Sequence, residues 1–222
     1  MDIPRIFRSV RITVQNHGAW PALYDAAIRA ANKCMYYRDM HFLVVERVNP
    51  QTLQLPSNFH FTRLEKDMLQ AFTSRPECEL SVDFVRRALH KGDECYAVLD
   101  GDTLANYGWY SRKPTALYPT DLTIHFAPQY VYMYKGFTLD RYRGLRLHAI
   151  SKTHALSEYL ERGITGMLNC VESNNFNSLK SSYRMGARDC GRIRVAKILG
   201  KYVIRAESKC SQYGLVLQTV QT

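Results

Sequence analysis

The sequence predicts a mixed α/β protein, in which a mostly antiparallel sheet also contains one parallel pair of strands. Three patterns indicate this fold class. Residues 95–110 read as two strands joined by a tight turn at Asp100-Gly101, which is typical of an antiparallel hairpin. Residues 131–172 read as a strand, a long helix and a second strand, the order of a parallel crossover. Residues 193–205 form a second expected hairpin, which turns at Gly200.

The remaining elements follow from apolar periodicity and from the signals that start and end helices. Helical spacing of apolar residues, a capping serine and terminal glycines predict the helices, and runs of β-branched and aromatic residues predict the strands. In chain order, these elements are helix 20–31, strands 40–48 and 59–64, helix 81–92 and a short helix over residues 175–185.

Proline-containing breaks near residues 50 and 56 separate the first part of the chain from the rest. We therefore expect two parts: an N-terminal extension, residues 1–57, that packs on the core, and a main domain, residues 58–222. A chain of 222 residues with 46% hydrophobic and 12% aromatic residues is long and apolar enough to bury a substantial core.

Composition narrows the class of protein. The N-terminus lacks the apolar region of a signal peptide, and no apolar run approaches the roughly 18 residues of a membrane helix, so we expect a cytoplasmic protein without a membrane span. The six cysteines form no C-x-x-C pair, which predicts reduced, structural thiols and no metal site. Cys170, close to the expected active strand, is also interpreted as a structural thiol.

The positive charge is concentrated in one part of the chain. The formal net charge is +10, and residues 141–209 hold 14 Lys and Arg against 5 Asp and Glu. Such an excess favours an anionic ligand or an acidic partner, although a solvated basic face is an equally good interpretation. The chain shows no recognised nucleic-acid-binding motif, so nucleic acid is not the expected partner.

A basic, glycine-containing loop lies between the strand at 131–138 and the following helix. It reads Arg141-Tyr142-Arg143-Gly144-Leu145-Arg146-Leu147. Glycine allows a close approach of the backbone to a ligand, and the start of a helix offers unpaired N–H groups with a partial positive charge. This combination is typical of a site for phosphate or pyrophosphate.

Two motifs in this order resemble those of the GNAT superfamily (GCN5-related N-acyltransferases), and the resemblance covers about residues 59–205. The family's pyrophosphate loop, Q/R-x-x-G-x-G/A, corresponds to Arg141–Arg146, except that arginine replaces the last small residue. The family's N-x-x-S motif corresponds to Asn175–Ser178, with Gly186 at the end of the helix. The resemblance implies a GNAT-like mixed, mostly antiparallel sheet with splayed central parallel strands and flanking helices.

The resemblance also implies a donor, an acyl group on phosphopantetheine, with acyl-CoA (acetyl-CoA) as the usual form. By that likeness, Arg141 and the backbone N–H groups of Arg143, Gly144, Leu145, Arg146 and Leu147 bind the pyrophosphate. Asn175 and Ser178 bind the pantetheine chain or the thioester, unless they only cap and pack the helix. Lys180 and Arg184 either reach the donor's phosphates or are ordinary surface charges.

In the implied reaction, a neutral amine attacks the thioester directly. This needs a base for the amine, a hydrogen bond to the carbonyl oxygen and an acid for the thiol. Glu172 and His125 are the candidate bases, and a backbone N–H near residues 132–134 suits the oxygen. Ser182 stands where the family often has a tyrosine that acts as the acid, and Tyr183 follows it, so the two are equal candidates. Alternatively, solvent protonates the departing thiolate.

Arg146 leaves the choice of donor open. Its side chain either binds a CoA phosphate or contributes to a basic face that docks an acidic acyl carrier protein. Three functions follow: N-acyl transfer to a small-molecule or amino-acid-like amine, N-acyl amino acid synthesis from a long-chain acyl carrier protein, and non-catalytic binding of acyl-CoA. We expect the loop at residues 111–123 and the N-terminal segment to form the acceptor pocket.

The aromatic residues of the central strands allow two interpretations. They could line an apolar pocket, but alternating aromatic residues in strands more often form the core, which we favour. These residues are Tyr107, Trp109, Tyr110, Tyr130, Tyr132, Tyr134 and Phe137.

Overall fold

The structure of the protein is a computed structural model that describes residues 12–219. Two sheets and five helices with defined bounds form the described part, and residues 12–17 are also helical. The helices are α1 (Ala19–Cys34), α2 (Lys66–Thr73), α3 (Val82–Lys91), α4 (Leu147–Glu161) and α5 (Phe176–Arg184). The strands are β1 (Tyr36–Val45), β2 (Phe59–Arg63), β3 (Glu94–Asp100), β4 (Thr103–Ser111), β5 (Thr115–Leu117), β6 (Leu122–His125), β7 (Tyr130–Thr138), β8 (Gly166–Glu172), β9 (Arg188–Ile198), β10 (Lys201–Ala206) and β11 (Val216–Thr219).

The larger sheet has eight strands in the order β10-β9-β1-β8-β7-β4-β3-β2. Every neighbouring pair is antiparallel except β7 and β8, which are parallel and are joined through α4. This arrangement confirms the predicted fold class, a mostly antiparallel sheet around one parallel crossover. None of the helices in the described part is long and apolar enough to span a lipid bilayer.

β1 is an interior strand of the large sheet and does not merely pack on its surface. β1 lies between β8 and β9 and pairs with both along most of its length. All residues from Met40 to Val45 are buried. Residues 36–45 therefore supply an interior strand of the sheet, whereas the domain boundary at residue 57 stays a prediction.

Both faces of the large sheet are covered. Helix α4 packs its buried residues against one face, on an apolar cluster that includes Leu43, Val131 and Met167. On the other face lie α2 and α3, together with the small sheet of β11, β6 and β5. The favoured core interpretation of the aromatic strand residues is confirmed for four of them, which are at most 3% exposed: Tyr107, Trp109, Tyr110 and Tyr132.

The sequence did not predict α2, β5, β6 and β11. Helix α2 has only eight residues, which is too short for a clear apolar period. β5, β6 and β11 have three or four residues each, and β6 pairs with β11 from the far end of the chain. Strands this short form because tertiary contacts complete them, so local sequence gives little sign of them.

The parallel pair is short and ends at a bulge. β7 and β8 pair only from Tyr130 with Gly166 to Met133 with Asn169. At the next residue, the register between β4 and β7 shifts, and Tyr134 has no partner in either ladder. Bulges bend a strand and increase its twist, so the two strands separate from this point and leave a wedge between them.

Candidate active site

A cavity of about 550 Å³ occupies the wedge between β7 and β8. Met133 to Gly136 of β7 and Asn169 to Glu172 of β8 form its walls, and α5 with the loop before it forms another side. A second cavity of about 600 Å³, lined by the start of α4 and by α5, shares four residues with it: His148, Asn177, Ser181 and Met185. The two cavities therefore form one groove, which runs from the wedge to the beginning of α4.

The basic loop lies at the far end of this groove. Gly144 and Arg146 both have left-handed backbones, with φ angles of 89° and 61°. Arg146 is the N-cap of α4, and its side chain makes no capping hydrogen bond. The N–H groups of Gly144, Arg146, Leu147 and His148 donate to no described protein acceptor. Two of the five N–H groups predicted from the loop motif are already bonded, since Arg143 donates to the Asp140 carbonyl at 3.1 Å and Leu145 to the Tyr142 carbonyl at 3.4 Å. The other three, with the His148 N–H, leave the N-terminus of α4 open to an anion.

The cations near this end divide into two groups. Arg146, Lys180 and Arg184 line the groove. Arg143 instead forms an ion pair with Asp140 at 2.8 Å, and the guanidinium of Arg141 lies 5.1 Å from the centre of the Tyr142 ring. Of the three loop arginines, only Arg146 therefore lines the groove.

Asn175 and Ser178, from the second motif, both line the wedge. Asn175 is the N-cap of α5, and its Oδ1 accepts a hydrogen bond from the Ser178 N–H at 3.2 Å. The side chain thus has the capping role that the sequence left open, and the cap holds both residues at the wall of the cavity.

The two candidate acids lie differently. Ser182 is buried and lines the wedge, whereas Tyr183 is 45% exposed and is not part of the cavity wall. A step of one residue turns a helical side chain by about 100°, which accounts for the difference.

The two candidate bases are also separated. Glu172 lines the wedge and forms an ion pair with Arg38 of β1. His125 lies in the small sheet, opposite Val216 of β11, and is not part of the wedge. Of the two predicted bases, only Glu172 is brought to the cavity.

No protein-family model and no curated protein matches the sequence, whereas several solved structures resemble this fold. A GCN5-related N-acetyltransferase-like protein from Streptococcus suis superposes with a TM-score of 0.51 over 83% of this chain and 68% of its own, at 14% identity. A GNAT-family protein from Novosphingobium aromaticivorans gives 0.52 over 78% and 66%, at 13% identity. A GNAT-family acetyltransferase from Colwellia psychrerythraea gives 0.50 over 72% and 56%, at 13% identity.

The chain has the GNAT fold. Identities this low establish the fold and not the activity. The chain spans between 56% and 68% of the length of these three structures. The resemblance in the two sequence motifs is confirmed at the level of fold, and the roles of individual site residues stay predictions.

Beneath the wedge, the GNAT fold of this chain contains a buried lysine that sequence reasoning missed. Lys152 of α4 is 2% exposed, and its Nζ donates to Oδ1 of Asn169 at 2.6 Å. Burial lowers the pKa of Lys152 to about 7. Asn169 itself lines the wedge, so the lysine holds one of the residues of the cavity wall. The apolar pattern of α4 gave no sign of this residue, because lysine is seldom expected on the buried face of a helix.

His148 is a second missed residue, one helical turn before Lys152. It lies where the wedge and the basic end of the groove meet. The His148 side chain is exposed in the groove, where a ligand can reach its imidazole. A neutral imidazole at this point can donate or accept a hydrogen bond. By contrast, burial raises the pKa of the Cys170 thiol to about 12, which disfavours the thiolate that a nucleophile requires.

Proposed function

We propose that the protein is an N-acyltransferase that transfers an acyl group from acyl-CoA to the amine of a small-molecule or amino-acid-like acceptor. One observation carries this proposal: the wedge between the splayed strands continues into a basic groove that ends at four unpaired amides of the α4 N-terminus. Acetyl-CoA is the first donor to test, because the GNAT-fold neighbours described above include acetyltransferases.

The donor would lie along this groove. The amides of Gly144, Arg146 and Leu147 would replace the hydrogen bonds of water around the pyrophosphate, and the helix dipole adds a favourable field. The side chains of Lys180 and Arg184 would approach the phosphates from α5. The pantetheine arm would then extend past Asn175 towards the wedge.

The chemistry would take place at the bulge. The amine nitrogen attacks the thioester carbon, a C–N bond forms and the C–S bond breaks. The backbone N–H of Tyr134, outside both ladders, is our proposed donor to the carbonyl oxygen. The amine proton goes to Glu172 through water, and the departing thiolate receives a proton from Ser182 or from solvent.

Docking of an acyl carrier protein is a second candidate, favoured by the cations at the mouth of the groove. Arg146, Lys180 and Arg184 stand beside the position of the phosphates, where the acidic surface of a carrier would meet them. The phosphopantetheine arm would enter by the same path. The chain would then be an N-acyl amino acid synthase with a long-chain donor.

The decisive experiment measures thiol release from acetyl-CoA with a panel of amines, together with the affinity for CoA by calorimetry. We expect amine-dependent release. Release only from long-chain acyl carrier protein would instead support the second candidate, and tight CoA binding without turnover would identify a non-catalytic acyl-CoA-binding protein.

Gly144→Asp tests the donor site itself. The substitution places a side chain and a negative charge at a left-handed position beside the unpaired amides, so CoA affinity should fall by at least roughly tenfold. Gly163→Asp is a matched control, since Gly163 has a similar φ angle of 80° but lies beyond the other end of α4. An equal loss of affinity in both variants, or in neither, would contradict the placement of the donor.

A further inference from the structure

A second pair of cavities lies on the α3 side of β7, across the strand from the basic groove. The outer one, about 470 Å³, and the inner one, about 280 Å³, share Phe84, Arg87 and Tyr118. Lys135 lines both the outer cavity and the wedge, and Tyr134 lines both the inner cavity and the wedge. A molecule in this space, the α3 cavity, therefore meets the wedge at the bulged residue.

The inner end of the α3 cavity contains a carboxylate with one oxygen that accepts no hydrogen bond. The side chain of Asp93 is 1% exposed. Its Oδ2 accepts from the Tyr134 hydroxyl at 2.7 Å and lies 3.0 Å from Lys91 Nζ, whereas its buried Oδ1 has no hydrogen-bond partner. A buried acceptor that forms no hydrogen bond lowers the stability of the folded protein. An amine in the inner cavity would supply the missing donor once the side chains that cover Oδ1 move aside to admit it.

The outer end has the opposite character. Arg87 and Lys135 form no ion pair with any carboxylate of residues 12–219. Lys135 Nζ lies 5.3 Å from the centre of the Phe84 ring. Glu79 also lines this end, so the two cations exceed the acidic charge there by one. The neighbouring Arg86, by contrast, is paired with Asp83 at 2.5 Å. Unpaired cations beside aromatic rings are suited to a ligand that carries a carboxylate on an apolar frame.

We propose that the α3 cavity is the acceptor site and that it selects an amine that bears a carboxylate. The amine points inward to Asp93, and the carboxylate is held by Arg87 and Lys135. This proposal rests on the proposed function for the transfer itself, and it adds the class of acceptor. It also excludes polycationic amines as good acceptors, because a second ammonium group would face Arg87 and Lys135.

The test compares two acceptors with similar amines and frames, 4-(aminomethyl)benzoate and 4-(aminomethyl)benzamide, with acetyl-CoA as donor. We expect a KM at least roughly tenfold lower for the benzoate. Arg87→Gln and Lys135→Met should each remove most of this preference, because they raise the KM for the benzoate far more than the KM for the benzamide. Arg86→Gln, at the neighbouring exposed position of α3, is the matched control and should keep the preference. Equal KM values for the two amines, or a preference that survives both substitutions, would overturn the proposal.

Calorimetry with the same two amines and CoA-saturated protein separates this proposal from the proposed function. Preferential binding of the benzoate that is lost in Arg87→Gln, without turnover, would support the site and refute the transferase. Turnover of both amines with no preference would support the transferase and overturn the selectivity for a carboxylate. Absence of both binding and turnover would overturn the proposal as well.

Discussion

Two residues beside the proposed pyrophosphate site have left-handed backbones, and only one of them is a glycine. Gly144 adopts its φ angle of 89° without steric cost, whereas Arg146 holds φ 61° with a β-carbon. The family motif has a small residue at this second position. A left-handed backbone at this position explains why the family favours a small residue there. In this chain, Arg146 keeps that backbone conformation and adds a cation at the groove.

Arg146→Gly should therefore separate stability from donor binding. Relief of the left-handed strain should stabilise the fold by about 1 kcal/mol, which the urea midpoint would show. Loss of the guanidinium should weaken CoA binding, roughly fivefold, by calorimetry at low salt. Arg146→Ala is the control, because it removes the cation and keeps the strain. Equal stability of the two variants would contradict this account of the loop.

Lys152 should make the stability of the protein depend on pH. Its pKa is about 7 in the folded chain and near 10.5 in the unfolded chain, so unfolding takes up a proton between these values. The free energy of unfolding should thus rise with pH across this window, by up to about 1 kcal/mol between pH 7.5 and 8.5.

The control for this effect is Lys152→Met, which removes the titrating group and keeps much of its volume. We expect a flatter dependence of the urea midpoint on pH in this variant than in the original protein between pH 7 and 8.5. The thiols and tyrosines are common to both proteins, so their contribution cancels in the difference. Parallel curves would show that Lys152 is charged in the folded state throughout.

At the scale of elements, the N-terminal segment braces the loop between β8 and α5. Asn174 donates to Asp25 of α1 at 2.8 Å, and the Ser173 N–H donates to the Asp39 carbonyl of β1 at 2.8 Å. Arg38 of β1 is paired with Glu172. Helix α1 and strand β1 therefore help to position the residues that line the wedge.

Tyr24 links these two elements. Its hydroxyl donates to the buried Asp39 carboxylate at 2.7 Å, and desolvation, reinforced by Asp39, raises the pKa of Tyr24 to about 12. Tyr24→Phe should lower the free energy of unfolding by about 1 to 2 kcal/mol, measured by urea denaturation at pH 7. Tyr37→Phe should change it little, because the Tyr37 hydroxyl bonds to no described residue. Similar losses in both would argue against the Tyr24–Asp39 link.

At the scale of the whole molecule, the N-terminal part is built into the sheet. β8 and β9 do not pair with each other, since β1 lies between them and bonds to both. A chain that lacks β1 would expose two strand edges and the apolar residues that β1 covers. β1 is thus needed to join β8 and β9 in one sheet, although it lies far before both motifs in the chain.

A fragment of residues 58–222, the main domain that the sequence predicts, tests this arrangement. We expect it to lack a cooperative urea transition by circular dichroism, because an interior strand of the sheet is missing. Addition of a separate fragment of residues 1–57 should restore the transition, if β1 pairs as described. A 58–222 fragment that folds cooperatively by itself would show that the N-terminal part is dispensable.

Sequence reasoning succeeded where local signals carry the information. The loop Arg141–Arg146, the cap at Asn175 and the β–α–β order around them depend on backbone conformation and on short-range periodicity, which neighbouring residues determine. These signals indicated the fold class, and they singled out Ser182 and Glu172, which line the wedge and whose catalytic roles stay predictions.

Only the tertiary structure decided what depends on residues far apart in the chain. It placed β1 inside the sheet, brought Lys152 beneath Asn169, excluded His125 from the wedge and joined Asp93 to Tyr134. The two side-chain contacts join residues at least 17 positions apart. Their energy depends on burial and on a distant partner, which local sequence patterns do not reveal. The sequence by itself therefore determined the fold class and the donor motifs, whereas three-dimensional packing decided which side chains share the site.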